Sequence, residues 1–486
     1  MIELPVIGVD FYRHALPIIS LLVGSLLLLL FAVNSILADR RVIFVATLTF
    51  LCSALLSSVW LMGSQYQAFG GALTIDAIAV FGHLYVLVVA IGVCLLFWES
   101  YLAERFWRGD IACIFLLTVA GMLVLVSSTD ILTIFVGLET FSLGIYALIG
   151  YVKKTQPAQE AAIKYFILGS FAAALLLFGF ALLYAGSGSL VITQIATTDN
   201  ELFARIGAVF IGVGLAFKLA LVPCHLWTPD AYQGAPTPMT ALMAITVKAA
   251  IILLALRFIT AGMAVTWLLP ILTLFACASM LVGNLMALSQ RNVKRMLAYS
   301  SIAHGGYLAM ALVAVGNHIE LANAVLYYLL AYGLLALGAF AIITWLESEE
   351  REHITMDNLR ALGMRHPYVS LALAVFMLAF AGIPPTVGFF AKLSIFQAAM
   401  ISELYLLLIV GVVGSAISFY YYLRVILLMY FDNSAASEAQ AASGLHGTSK
   451  PLLALITIAL MGALVLGIVM HRQHLPSLTH LQHVRK

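Results

Sequence analysis

Long apolar runs, hardly interrupted by charge, constrain this chain more than any other feature. Examples are the stretches 74–97, 204–227 and 320–345. A helix needs about 20 mostly apolar residues to cross a bilayer, and only helices and closed barrels satisfy their backbone in lipid. The runs are longer than the alternating ~10-residue segments of a barrel. The sequence therefore predicts an all-α polytopic membrane protein with about 14 transmembrane helices.

The composition excludes several other classes of protein. Of the 486 residues, 63% are hydrophobic and only 9% are charged, whereas a soluble protein carries roughly 25% charge. A soluble globular protein, a disordered chain and a nucleic-acid binder are therefore excluded. The five cysteines form no C-x-x-C pair, and no glycine-rich nucleotide motif precedes a helix. We therefore expect no metal site, redox cofactor or nucleotide on this chain.

Basic residues predict the orientation. Outside the spans, most Lys and Arg residues fall in the odd-numbered connections. Because cytoplasmic loops are enriched in Lys and Arg, these connections are expected in the cytoplasm and both termini on the outer side.

A few charged residues lie inside the apolar runs, where each is by default a functional candidate. Glu139 is the only charge between Asp130 and Lys153, which places it about 13 Å into its span, near the midplane. Asp130 itself, like Asp76, opens a span and is interpreted as a helix cap. The alternative for Glu139 is a buried structural ion pair.

Lys218 is the clearest basic candidate. It stands alone between Arg205 and Asp230, and Pro223 follows five residues later. Since proline removes a backbone hydrogen bond, we predict a broken helix beside the lysine, as transporters place at ion sites. His225 lies seven positions on and is expected on nearly the same face. A core lysine that only stabilises packing is the alternative.

Lys248 and Lys392 repeat the pattern of an isolated lysine in an apolar run. Lys392 follows two prolines, Pro384 and Pro385, which lie between Gly382 and Gly388. This stretch predicts a second broken helix. A purely structural role is again the alternative for both lysines.

Lys164 and His304 are ambiguous. Lys164 follows Glu160 by four residues, so an interfacial ion pair explains it as well as a functional role does. His304, like His83, is interpretable as a core histidine. Three neighbours of His304 could extend it into a hydrogen-bonded or hydrated chain: Ser300, Ser301 and Tyr307.

This scarce polar set suits protons or a small cation better than a sugar or an amino acid. Burial lowers the pKa of a lysine in general and a nearby carboxylate raises it, so a buried lysine can load and release a proton as its partner moves. The residues alone lead to an ion-translocating membrane protein and no further.

One segment carries a specific family resemblance. Residues 217–238 read FKLALVPCHLWTPDAYQGAPTP, and three other stretches agree with it: GLE at 137–139, NLMAL through YSSIAH at 284–304, and AGIP through Lys392 at 381–392. They resemble the antiporter-like membrane subunits of NADH:quinone oxidoreductase (respiratory complex I), and the subunit N family among them. The resemblance runs over nearly the whole chain.

The resemblance implies a fold of fourteen transmembrane helices with two inverted five-helix repeats, each containing a discontinuous helix. It implies an N-terminal three-helix segment at 1–110, a first repeat at 111–260 (spans 4–8), a second repeat at 261–432 (spans 9–13), and a linker with span 14 at 433–486. Glu139 and Lys218 match the family's charge pair, Lys248 its central lysine and Lys392 its terminal lysine. Lys164 matches a lysine that modulates Lys218.

The implied function is proton translocation coupled to electron transfer from NADH to quinone on partner subunits. FMN, iron–sulfur clusters and quinone are then expected on those partners, which include related antiporter-like subunits. The expected location is an energy-conserving membrane, the bacterial inner membrane, with both termini periplasmic. Three alternatives stay open: a stand-alone cation/proton antiporter subunit of the same fold, a non-pumping membrane scaffold, and a transporter of organic solutes.

Overall fold

The structure, a computed structural model, describes most of the chain. The described residues are 9–33, 39–100, 107–151, 156–195, 201–262, 265–350, 354–431 and 450–474. They form an almost entirely helical fold that divides into two compact units, Met1–Phe275 and Ala276–Lys486. The division falls within one helix, Val265–Ala287.

The first unit contains eleven α-helices in its described residues and one small hairpin, β1 (Tyr66–Ala68) and β2 (Leu73–Ile75), which pair antiparallel. The helices are α1 (Val9–Val33), α2 (Arg40–Trp60), α3 (Ala77–Glu99), α4 (Gly109–Ser127), α5 (Ile131–Gly150), α6 (Gln156–Ser187), α7 (Ile192–Ile195), α8 (Glu201–Lys218), α9 (Trp227–Gly234), α10 (Thr237–Leu242) and α11 (Lys248–Thr260). One π-helical turn, Met243–Val247, joins α10 to α11.

The second unit begins within α12 (Val265–Ala287). The remaining helices are α13 (Val293–Asn317), α14 (Ala322–Glu350), α15 (Leu362–Arg365), α16 (Pro367–Ala381), α17 (Val387–Ile401), α18 (Tyr405–Phe431) and α19 (Lys450–His474). Short 3₁₀ turns lie at Phe69–Gly71, Ile319–Leu321 and Asp357–Leu359.

Within the described residues, eleven helices are long and apolar enough to cross a membrane, and three further apolar helices are shorter. The shorter ones are Pro367–Ala381, Val387–Ile401 and Pro451–Gly467. The all-α membrane class is therefore confirmed. The count of fourteen spans, the inverted repeats and the four segments of the chain stay predictions.

Polar side chains fix where several helices begin. Asp76 accepts a hydrogen bond from the backbone N–H of Ala79, and Asp130 accepts from Leu132 and Thr133. Each satisfies N–H groups that have no partner within the helix. The prediction that these two residues are helix caps is confirmed.

Candidate functional site

The first helix break lies directly after Lys218. α8 stops there, Ala220 takes a left-handed conformation (φ 59°), and α9 starts only at Trp227. The indole Nε1 of Trp227 donates to the carbonyl of Phe217 at 3.0 Å and so ties the two halves together. The broken helix expected from Pro223 is confirmed.

Lys218 is buried and bonded to neutral hydroxyl groups. Its Nζ donates to Ser142 Oγ at 2.7 Å and to Tyr146 OH at 3.2 Å, and the side chain is 3% exposed. Both acceptors lie on α5, three and seven residues after Glu139, so all three share one helix face. That spacing is a signal in the sequence that our motif reading missed.

Glu139 lies near Lys218 without a direct contact. The carboxylate and the ammonium interact electrostatically, but Lys218 Nζ bonds to the two hydroxyls instead. Glu139 Oε1 is buried and has no hydrogen-bond partner among the described residues. The acid and the amine therefore stand in one site with their direct ion pair unformed.

The expectation that His225 shares a face with Lys218 is wrong. It assumed a continuous helix, whereas α8 ends at Lys218 and His225 lies in the turn before α9. His225 is buried, so it belongs to the packing of the break.

Lys164 forms the ion pair expected with Glu160, at 2.6 Å, and a second one with Asp230 at 2.9 Å. The Lys164 side chain is 44% exposed. This cluster therefore lies at the surface of the chain and connects α6 to α9, whose Asp230 follows the first helix break.

Lys248 begins α11 directly after the π-helical turn Met243–Val247 and is buried. A π-turn inserts one residue into the helical ladder and often marks a functional site. The π-turn changes the direction of the following side chain, Lys248, relative to that in a regular α-helix. Nothing in the local sequence predicted this turn.

The second broken helix places Lys392. α16 ends at Ala381, Gly382 adopts φ 85°, and α17 starts at Val387, as the two prolines predicted. Lys392 Nζ donates to the carbonyl of Ala381 at 3.1 Å and to Ser415 Oγ at 3.0 Å. A cavity of about 310 Å³ lies against this lysine and the residues of the break.

His304 is the centre of a buried network of hydroxyl groups in the second unit. Its Nδ1 lies 2.6 Å from Tyr328 OH and its Nε2 3.2 Å from Tyr422 OH. Tyr422 also bonds to Ser300, and Tyr332 donates to Ser301 at 2.9 Å. Of the three neighbours expected to extend the chain, Ser300 reaches His304 through Tyr422, whereas Tyr307 donates instead to the carbonyl of Gly411 at 3.3 Å. The tyrosines of this network come from α14 and α18, which the sequence did not indicate.

A cavity of about 10 Å³ is lined by both His304 and Lys392. This is about the smallest volume that holds one water molecule. The cavity therefore has room for at most one water between the histidine network and the lysine beside the second helix break.

The sequence did not predict two ion pairs, one half-buried and one buried. Arg257 binds Asp76 through both terminal nitrogens, at 2.9 Å each, and Lys294 pairs with Glu347 at 3.1 Å. Both contacts join residues far apart in the sequence, so no local pattern indicates them.

In chemical terms, each unit holds a buried lysine beside a helix break, bonded to hydroxyl or carbonyl oxygen. Neutral acceptors of this kind hold an ammonium ion without fixing its proton. Among the described residues no group of three or more His, Cys, Asp or Glu side chains is placed to bind a metal ion.

Comparison with known proteins shows which family the chain resembles. Residues 128–418 match the family described as NADH:quinone oxidoreductase/Mrp antiporter, TM. A protein of Herpetosiphon aurantiacus named NADH-quinone oxidoreductase subunit N 1 is 38% identical over 465 residues, which cover 92% of each chain. A protein of Myxococcus xanthus named NADH-quinone oxidoreductase subunit N is 39% identical, over 86% of this chain and 88% of the relative.

A solved structure shares the fold. A chain of respiratory complex I from Thermus thermophilus is 34% identical and superposes with a TM-score of 0.76, over 93% of this chain and 98% of that one.

Proposed function

The chain belongs to the family of membrane subunits common to NADH:quinone oxidoreductases and Mrp antiporters, within the group named subunit N, and on this premise we propose that it is a proton-translocating subunit of an NADH:quinone oxidoreductase. Electron transfer from NADH to quinone takes place on partner subunits, which hold FMN and the iron–sulfur clusters. This chain contributes the buried residues that carry protons.

One observation supports this most strongly. Lys218 and Lys392 are both buried, and both are bonded to hydroxyl or backbone oxygen beside a helix break. A lysine that served only to stabilise packing would be expected to bind a carboxylate, as Lys294 does. A charge held by weak neutral acceptors is one that a small rearrangement can move.

The proposed cycle begins at Glu139. When an approaching charge displaces its carboxylate, Lys218 loses the electrostatic support of Glu139 and releases its proton. Lys248 receives it within the first unit, and His304 and Lys392 carry protons in the second. The transfer between the two units stays a prediction, as do the modulating role of Lys164 and any role of His225.

The free energy of a hydrogen bond to a buried lysine is comparable to the cost of moving one proton against the membrane potential. Moving one charge across 100 mV costs about 2.3 kcal/mol. One hydrogen bond to a charged group contributes about 1.5–3 kcal/mol. The free energy of a single hydrogen bond of Lys218 is therefore of the same order as the cost of one such step.

We further propose that the partners are other membrane subunits of the complex, including related antiporter-like subunits. The proposed location is the bacterial inner membrane, with both termini on the periplasmic side, from the distribution of Lys and Arg over the connections.

The test uses the assembled complex with Glu139→Gln or Lys218→Met, and the exposed Glu320→Gln as a matched control. Protons moved per NADH oxidised are measured in sealed vesicles, and assembly is checked on native gels. We expect both variants to assemble and to move fewer protons, and the control to match the wild type. Normal pumping and normal NADH oxidation in both variants would rule out the proposed role.

A further inference from the structure

A second polar cluster lies in the first unit, outside the proposed route. We call it the α3–α11 cluster: Asp76, His83, Ser127 and Arg257. Its histidine is the most deeply buried imidazole of the described residues, with 0% exposure. His83 Nε2 lies 2.8 Å from Ser127 Oγ and 3.2 Å from the carbonyl oxygen of Leu123.

These contacts fix which nitrogen of His83 carries the proton. A carbonyl oxygen only accepts hydrogen bonds, so Nε2 must be the donor, and in the neutral ring Nδ1 then has a free lone pair. No described residue forms a hydrogen bond with Nδ1, which is buried, and the same holds for Nε of Arg257. Buried polar atoms are normally satisfied, so an acceptor and a donor in one cluster indicate a site for a water or a proton.

The cluster connects this nitrogen to the end of the helices. Arg257 binds Asp76 through both terminal nitrogens and also donates to the carbonyl of Val126, beside Ser127, at 2.9 Å. The Asp76 side chain is 29% exposed and that of Arg257 only 6%. Both charges act electrostatically on His83. Asp76 is thus the accessible end of the α3–α11 cluster, and His83 is its buried end.

Helix geometry places the buried end close to the depth of Lys248. The start of α3 meets the end of α11 through Asp76 and Arg257, so the two helices run in opposite directions. His83 lies seven residues after Asp76 along α3, and Lys248 lies nine residues before Arg257 along α11. At 1.5 Å per residue these are depths of about 10 and 13 Å. α3 packs against both α11 and the π-turn that precedes Lys248.

We propose that His83 carries protons between the level of Lys248 and the accessible carboxylate of Asp76, an outlet of the first unit that is separate from Lys392. Nδ1 takes up a proton that the Lys248 ammonium releases through water, and the imidazolium returns it to water at Asp76. The Ser127 hydroxyl orients the ring. The carboxylate of Asp76 attracts the positive charge that His83 acquires, whereas Arg257 repels it and so favours its release. This inference rests on the proposed function.

The test compares His83→Gln with wild type in the assembled complex, and the exposed His318→Gln serves as the control. Glutamine keeps an N–H donor for the Leu123 carbonyl but cannot carry a proton. We expect a loss of protons moved per NADH oxidised in His83→Gln and none in His318→Gln. A structural role alone would leave the ratio unchanged, and that result would overturn the proposal.

If His83→Gln does not assemble, Ser127→Ala decides the question, because it removes only one hydroxyl group. A reduced ratio in this variant supports the outlet, and a wild-type ratio overturns it. The Glu139 and Lys218 variants separate the two proposals. If they lose pumping while the His83 and Ser127 variants keep it, only the outlet is wrong.

Discussion

Gly388→Ala tests how the second helix break positions Lys392. Gly388 is the second residue of α17 and packs on the carbonyl of Ala379 in α16. A Cβ built on Gly388 would lie 1.8 Å from that oxygen, whereas ordinary contact begins at 3.4 Å. The two half-helices would have to separate by roughly 1.6 Å, and such overpacking costs about 1–3 kcal/mol. Because backbone atoms are involved, we expect the upper end of this range, above the ~1 kcal/mol that alanine's helix propensity returns.

The separation reaches the lysine directly. Lys392 lies one helical turn after Gly388 and holds Ala381 and Ser415 with bonds of 3.1 and 3.0 Å. A shift of about 1.6 Å takes at least one of these beyond hydrogen-bonding distance. We therefore expect Gly388→Ala to lower the melting temperature of the purified complex and the number of protons moved per NADH.

Gly262→Ala is the matched control. Gly262 has φ +75° and its added Cβ meets nothing within 4 Å, so alanine there adds only left-handed strain, about 1–2 kcal/mol. It should lower the melting temperature but leave the proton ratio at the wild-type value. A Gly388→Ala complex with wild-type melting temperature and wild-type ratio would refute the reasoning from the contact with Ala379.

Two further predictions concern buried polar contacts. Lys294→Met should destabilise the protein by about 3–5 kcal/mol, because it removes the ammonium that lies 3.1 Å from the buried carboxylate of Glu347; the double variant Lys294→Met/Glu347→Leu should recover most of this, as measured by melting temperature in a double-mutant cycle. Ser142→Ala should slow proton movement more than Tyr146→Phe, because its bond to Lys218 is shorter, 2.7 against 3.2 Å; initial rates of proton uptake in vesicles, at equal NADH oxidation, provide the measurement.

The two helix breaks could be predicted because their cause is local. Pro223 and Pro384 lack a backbone N–H, and no packing restores it. The caps at Asp76 and Asp130 are local for the same reason, since each carboxylate bonds to a backbone N–H at most three residues away. The isolated charges were visible because each stands alone in a long apolar run, whatever the helix arrangement.

What could not be predicted depends on contacts between distant helices. Arg257 and Asp76 are 181 residues apart, and their bond depends on how α3 and α11 pack. Tyr328 and Tyr422 could not be predicted as partners of His304 for the same reason, because they lie on other helices. His225 was misplaced because a seven-residue spacing identifies a helix face only if the helix continues between the two residues.

The helix breaks explain how Lys218 and Lys392 are tolerated in an apolar protein. Lys218 is the last residue of α8, and Lys392 donates to the carbonyl at the end of α16. The carbonyl end of a helix carries about half a negative charge, so each ammonium meets a diffuse negative charge in place of a carboxylate. A directly bonded carboxylate would hold the proton more firmly. A continuous helix has no free carbonyl at mid-span, and so would leave the lysine with less support. Breaking the helix therefore supports a buried ammonium that has no direct bond to a carboxylate.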